Sequence, residues 1–128
     1  MLEASVTPLL SALDDEDDKT RANAAGALGN LVRNSSKLCE GLVRSGVGRR
    51  LMKLAREEKC DAPRRIALFS LGTLSVYRVC RKELMRGGEV EELVGELLRV
   101  CKDKTSLKFV ERIKVKLGVE LNHQKMKN

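Results

Sequence analysis

Few residues in this chain are spaced for catalytic or metal chemistry. Four cysteines, Cys39, Cys60, Cys80 and Cys101, stand apart along the chain and form no CxxC pair. Zinc takes its ligands in close-spaced pairs, so these thiols read as small apolar side chains in a reducing compartment. The one histidine, His123, lies in a polar terminal stretch, away from any nucleophile that would need it as a base. "GGEVEELVGE" (87–96) is not a phosphate loop, because it lacks both the lysine and a preceding strand. Its carboxylates, Glu89, Glu91, Glu92 and Glu96, form an exposed helical face rather than a paired acid and base. The acidic run "DDEDD" (14–18) suits a helix start, where carboxylates meet the amide end of the helix dipole. These patterns predict no enzyme, no cofactor and no metal.

Charge points instead to a binding surface. The net charge is +7, and its excess falls after Lys104, in "KTSLKFVERIKVKLGVELNHQKMKN". Such a basic end attracts acidic protein, phosphate or nucleic acid, or simply keeps a terminal helix solvated. A nucleic-acid interface would use Lys104, Lys108, Arg112, Lys116, Lys125 and Lys127. Two Phe, one Tyr and no Trp give little stacking platform for single strands, so protein is the expected partner and nucleic acid the alternative. No apolar run is long enough to span a membrane, and "MLEASVTPLL" lacks the basic start and long apolar stretch of a signal peptide. A cytoplasmic location is expected, and the immediate entry into structure reads as a piece of a longer chain.

The elements that would carry such a surface show themselves by repetition. "RANAAGALGNL" (21–31) aligns with "RRIALFSLGTL" (64–74) at a shift of 43, placing Arg21, Ala24, Leu28, Gly29 and Leu31 over Arg64, Ala67, Leu71, Gly72 and Leu74. "LVRSG" (42–46) aligns with "LMRGG" (84–88) at a shift of 42, and "VGRRLMKLA" (47–55) with "VEELVGELL" (90–98). Each unit reads as three helices: a short one stopping at Gly46 or at Gly87-Gly88, an amphipathic one over 47–57 or 89–102, and a long apolar one over 18–33 or 62–78. Val6, Leu9, Leu10 and Leu13 make a further apolar stripe. It is expected to be exposed where a solenoid is cut at a repeat boundary, giving a monomer or weak dimer through that face. For the last helix, a shift of 42 brings Phe109, Val110, Ile113 and Leu117 into one stripe, with polar residues elsewhere as on a capping helix.

A period of 42–43 with three helices per unit is the signature of armadillo solenoids. "AAGALGNL" (24–31) and "IALFSLGTL" (66–74) resemble that family's third-helix pattern A-x-W-x-L-x-N-L. The expected fold is all-α: a right-handed armadillo-type solenoid of about two full repeats, a partial N-terminal repeat and a C-terminal cap helix. The whole chain is one domain, divided as a partial repeat 1–34, a repeat 35–79, a repeat with its capping helix 80–122 and a basic tail 123–128. "KTRANAAGALGNLVRNSSKLC" (19–39) and "ALFSLGTLSVYRVCRKEL" (67–84) further resemble the C-terminal armadillo region of Fused-family serine/threonine kinases. That resemblance implies a regulatory scaffold associated with Hedgehog signalling, cilia or plant cytokinesis, with kinesin-like or signalling proteins as partners. The kinase's own motifs, a Gly-rich loop, HRD and DFG, do not occur in the chain.

In this family the third helices line the concave surface. Asn23, Gly26, Asn30 and Arg33 share one face of the first such helix, with Ile66, Phe69, Thr73 and Val76 as their counterparts. The resemblance implies that an asparagine at Asn30 bonds a ligand backbone, while Gly26 stands where the family's tryptophan would be. Asn23, Asn30, Arg33, Phe69, Thr73 and Lys108 are therefore the expected partner-binding residues. Lys108 favours an acidic or phosphorylated segment. Gly29 and Gly72 are expected where a neighbouring third helix presses closest.

Overall fold

The computed structural model describes residues 2–34 and 36–119, with side chains described from Val6 onward apart from Ser36. The basic tail, including His123, Lys125 and Lys127, lies outside the described residues. Eight α-helices follow in order: α1 Leu2–Ala12, α2 Asp18–Asn34, α3 Cys39–Arg44, α4 Val47–Glu57, α5 Asp61–Leu74, α6 Arg78–Met85, α7 Glu89–Val100 and α8 Lys104–Leu117. Short 3-10 turns at Ser36–Leu38 and Arg86–Gly88 precede α3 and α7, and no strand occurs among the described residues.

Local chemistry sets most of the helix ends. The acidic run works as a cap: Asp17 Oδ2 accepts the Thr20 N–H and the Thr20 hydroxyl, both at 2.9 Å. Gly46 and Gly88 take left-handed φ of 75° each directly before α4 and α7, turning the chain from the first helix of a unit into its second. Asp103 caps α8, its carboxylate accepting the Ser106 N–H at 2.9 Å. That bond holds the Asp103 carboxyl below the usual carboxylate range. The stabilisation is therefore full above the ordinary Asp value and drains away as pH falls through the lowered one. Asp103→Ala is expected to cost about 1 kcal/mol near neutrality, read as a fall in thermal midpoint of a few degrees.

The third helices stack side by side, α2 on α5 and α5 on α8, while α3 meets α6 and α4 meets α7. Equivalent positions recur through the core. Ala25, Leu28 and Val32 give way to Leu68, Leu71 and Ser75, then to Val110, Ile113 and Leu117, all buried. The last step is 42 residues rather than 43, the register that sets Phe109, Val110, Ile113 and Leu117 in one stripe. Ser75 fills an apolar slot because its hydroxyl is satisfied by the Leu71 carbonyl at 2.7 Å. Beyond the core, α8 turns Glu111 and Val115 to solvent, and Lys114 bridges Glu111 at 3.6 Å.

Ion pairs tie one unit to the next along the edges. Arg50 reaches Asp14 at 2.8 Å and the Leu10 carbonyl at 2.9 Å. Arg56 lies 3.5 Å from Glu89 and 3.7 Å from Glu96, and Arg65 lies 3.7 Å from Asp103. Arg21 pairs with Glu58 at 2.8 Å. The four thiols are free, and burial beside Cys39 pushes the Cys80 thiol up to about 12.

Two expectations from sequence are corrected here. The apolar stripe of α1 is not an exposed face: Val6 is 1% and Leu13 is 3% exposed, and Leu9 and Leu10 are partly buried against the same core. Their burial against the chain's own helices removes the basis for a dimer through that stripe. The long helix expected over 62–78 ends at Leu74, because the Val76 and Tyr77 N–H groups turn back to the Thr73 and Leu74 carbonyls. Arg81 then takes the freed Ser75 and Val76 carbonyls. Val76 consequently lies beyond the helix that was expected to present it.

Candidate protein-binding groove

Three parallel-stacked helices, α2, α5 and α8, position every residue of the candidate surface. On α2, Asn23 and Asn30 are exposed, and Asn30 Oδ1 accepts from Arg33 Nη2 at 2.8 Å. The bond leaves the Asn30 amide N–H group unspent by this pairing, so one residue still offers a donor beside a cation. Gly26 lies low beside α5, where an added Cβ would touch Ile66 Cγ2 at 3.4 Å. No bulky ring occupies this part of the surface.

The middle of this candidate surface is aromatic. Phe69 on α5 and Phe109 on α8 meet edge to face, with ring centroids 5.5 Å apart and planes at 64°. Arg112 lays its guanidinium over Phe69, Cζ standing 5.5 Å from the ring centroid. Gly72 leaves room for that pose: a Cβ there would sit 3.3 Å from Arg112 Nη1. Arg112 pairs with no carboxylate among the described residues, unlike Arg65 on the facing helix. Lys108 is exposed one turn earlier on α8.

Of the expected site residues, Asn23, Asn30, Arg33 and Lys108 are exposed and Phe69 is half-buried. Thr73 is the exception. It is 6% exposed, and its hydroxyl donates to the Phe69 carbonyl at 3.2 Å, so it offers no ligand surface. Threonine is too short to rise past the turn it packs on. Arg112 and Phe109 stand beside Phe69 on this surface, although the sequence placed Arg112 only among phosphate-binding cations and Phe109 only in an apolar stripe. The 42-residue register makes Arg112 the counterpart of Ser70, but that Ser70 meets Gly29, and Arg112 therefore Gly72, is visible only in the packed helices.

Other recesses have different linings. A cavity of about 200 Å³ between α3, α4 and α6 is lined by Met52, Leu74, Cys80 and Leu84 beneath Arg44 and Arg86. A charged recess of about 410 Å³ at the α1–α2 and α4–α5 loops holds Arg21, Arg50, Glu57 and Glu58. Its arginines are engaged by Asp14, Glu58 and loop carbonyls. Among the described residues no group of three or more His, Cys, Asp or Glu is placed to hold a metal ion. No described helix is long and apolar enough to cross a membrane.

A family model of the Armadillo/beta-catenin-like repeat matches residues 2–33, the α1–α2 segment. Together with the stacked three-helix units, this makes the chain an armadillo-repeat domain, an all-α solenoid. It is similar to the Serine/threonine-protein kinase TIO of Arabidopsis thaliana, with 39% identity over 110 residues covering 75% of this chain. That likeness agrees with the Fused-family resemblance of residues 19–39 and 67–84. The Hsp70 nucleotide exchange factor fes-1 of Neurospora crassa is 38% identical over 68 residues, 52% of this chain. The chain spans 8% of the length of the first relative and 28% of the second. No solved structure matches the chain.

Proposed function

We propose that this domain is a non-catalytic scaffold that binds a partner protein segment across α2, α5 and α8, as the regulatory armadillo region of a Fused-like kinase. The observation that carries this reading is the Phe69–Phe109–Arg112 cluster, an apolar anchor carrying a cation that pairs with no carboxylate among the described residues. Phenylalanine and arginine side chains are enriched at the cores of interfaces. Arg33, Lys108 and Arg112 line the face, and the exposed Glu111 there is paired with Lys114, so the surface favours an acidic segment over a basic one. What the Fused-family resemblance implies for the partner is a kinesin-like or signalling protein, in a cytoplasmic setting tied to the cytoskeleton or a cilium.

Nucleic acid is the competing reading, and it rests on the lysines of α8. The face carries one edge-to-face Phe pair rather than a row of rings, so it offers no platform on which successive bases could stack. Titration of a partner recovered by affinity capture tests the scaffold. Asn30→Ala and Phe69→Leu are each expected to weaken binding by about 1–2 kcal/mol, with helicity kept. Glu91→Gln and Glu92→Gln on the outer helix α7 should leave it unchanged. If the α7 changes abolish binding while the groove changes spare it, the partner sits elsewhere.

A further inference from the structure

A second recess lies off the α2–α5–α8 face, where the α3–α4 corner of one unit meets the α6–α7 corner of the next. None of the residues lining it comes from α2 or α8. Its floor is apolar, built by Val43, Val47, Met52, Leu74 and Leu84. Gly48 lines it without a side chain, and a Cβ there would stand 2.8 Å from Leu84 Cδ2. The two walls differ in charge. The α3–α4 wall carries Arg44 and Arg49, both exposed. Arg49 has no ion pair among the described residues, and Arg44 has only the exposed Glu40 at 3.4 Å, a pair that contributes little. α4 starts at Gly46 without a side-chain cap, so its first N–H groups add to the positive wall. Across the recess the charges are spent on each other: Arg86 bridges Glu83 at 3.3 Å, and Glu89 bridges Arg56 at 3.5 Å.

We propose that this recess is a docking site for the C-terminal residue of a partner protein, with a bulky apolar side chain in the cavity and the terminal carboxylate on Arg44 and Arg49. Size selects one side chain. An apolar cavity of about 150 Å³ holds a benzene molecule, whereas drug-sized ligands fill roughly 300 Å³ or more. At about 200 Å³ the recess therefore suits a leucine, isoleucine or phenylalanine side chain. Charge selects a single carboxylate beside it. The cationic wall offers that anion two guanidinium groups, while Glu83 and Glu89 opposite would repel a segment rich in Asp and Glu. A C-terminal residue meets both demands, because its side chain and its carboxylate hang from one Cα. An internal apolar residue leaves the chain running on past the arginines and brings them no charge of its own.

Titration of the full, isotopically labelled chain with hexapeptides, followed by amide chemical shifts, tests this. The peptides share a Ser-Gly-Ser-Gly-Ser stem and end in Leu as the free acid, Leu as the amide, or Ala as the free acid. The Leu acid is expected to bind at least about tenfold more tightly than either of the others, since the amide removes the charge and Ala leaves the cavity unfilled. Its shifts should centre on Gly46–Arg49 and Glu83–Gly87. Arg49→Gln should lower its affinity at least about fivefold, while Arg99→Gln, an exposed charge at the end of α7, leaves it unchanged. Gly48→Ala crowds the floor and should also weaken binding. If that variant perturbs the fold, Arg49→Gln decides the matter, because Arg49 is exposed and supports no ion pair among the described residues. Equal affinity of acid and amide, or of the Leu and Ala acids, overturns the proposal, as does absence of binding by all three. Shifts confined to Asn30, Phe69 and Arg112 overturn it in favour of the α2–α5–α8 face.

Discussion

Gly29→Ala is expected to lower stability by about 2–3 kcal/mol, although alanine is the better helix former by roughly 1 kcal/mol. The reason is the distance between α2 and α5. A Cβ on Gly29 would stand 2.5 Å from Ser70 Oγ, 3.0 Å from its Cβ and 3.3 Å from its Cα. The last of these is backbone, so no rotamer change of Ser70 removes the whole clash. Ser70 is itself fixed, fully buried with its hydroxyl donating to the Ala25 carbonyl at 2.7 Å. The added methyl must either push the helices apart or break that bond and strand a buried polar group. Thermal unfolding followed by circular dichroism should show a midpoint lower by about 10 °C. Ser70→Gly placed on the Gly29→Ala background should recover part of the loss, because it removes the two nearest atoms. An unchanged midpoint in the single variant would mean that the helices can separate freely at this position.

The same contact explains what could be read from sequence and what could not. Gly29 and Gly72 recur at one repeat position, and that recurrence alone implies close packing of third helices. What presses on each glycine is a property of the next unit, where the repeat is imperfect: Ser70 meets Gly29, but the long side chain of Arg112 meets Gly72. The groove diverges for the same reason. Asn30 and Thr73 occupy equivalent positions, yet Asn30 is exposed and Thr73 is bonded down to the turn before it. Periodicity identifies equivalent positions, but side-chain length decides which of them reach the surface. The helix end at Leu74 was hidden because Val76 and Tyr77 continue the apolar pattern. The carbonyls that Arg81 takes up there depend on a side chain from the following helix. The α1 stripe misled for a different reason: amphipathicity shows that a face is apolar without showing whether a preceding unit or the chain's own helices cover it.

Arg21→Met should destabilise the domain about as strongly as Gly29→Ala, with a fall in midpoint of about 10 °C at neutral pH. Arg21 on α2 meets Glu58, just after α4, through a two-pronged contact, Nε to Oε2 at 2.8 Å and Nη2 to Oε1 at 2.9 Å. Its remaining amine holds the Asp15 and Glu16 carbonyls, so one guanidinium closes the α1–α2 turn onto the next unit. The Glu58 side chain is only 4% exposed, and its Oε1 also accepts the Cys60 N–H at 3.1 Å before α5. Arg21 holds the Glu58 carboxyl below its ordinary value against the opposing effect of burial. In the native protein the pair therefore stabilises fully above the ordinary Glu value, and its contribution is lost as pH falls through the lowered one. Without Arg21 the largest cause of that lowering is gone and burial is opposed only by the Cys60 contacts, so the pH-dependent stabilisation of the native pair is lost. The midpoint difference between native and Arg21→Met protein should thus be largest near neutrality and narrow as pH is brought from about 7 to about 4. Adding Glu58→Gln to Arg21→Met should recover most of the loss at neutral pH, since the amide oxygen can still accept from Cys60 without carrying charge. A difference independent of pH, with no recovery in the double variant, would assign Arg21 a packing role and leave the carboxylate as a spectator.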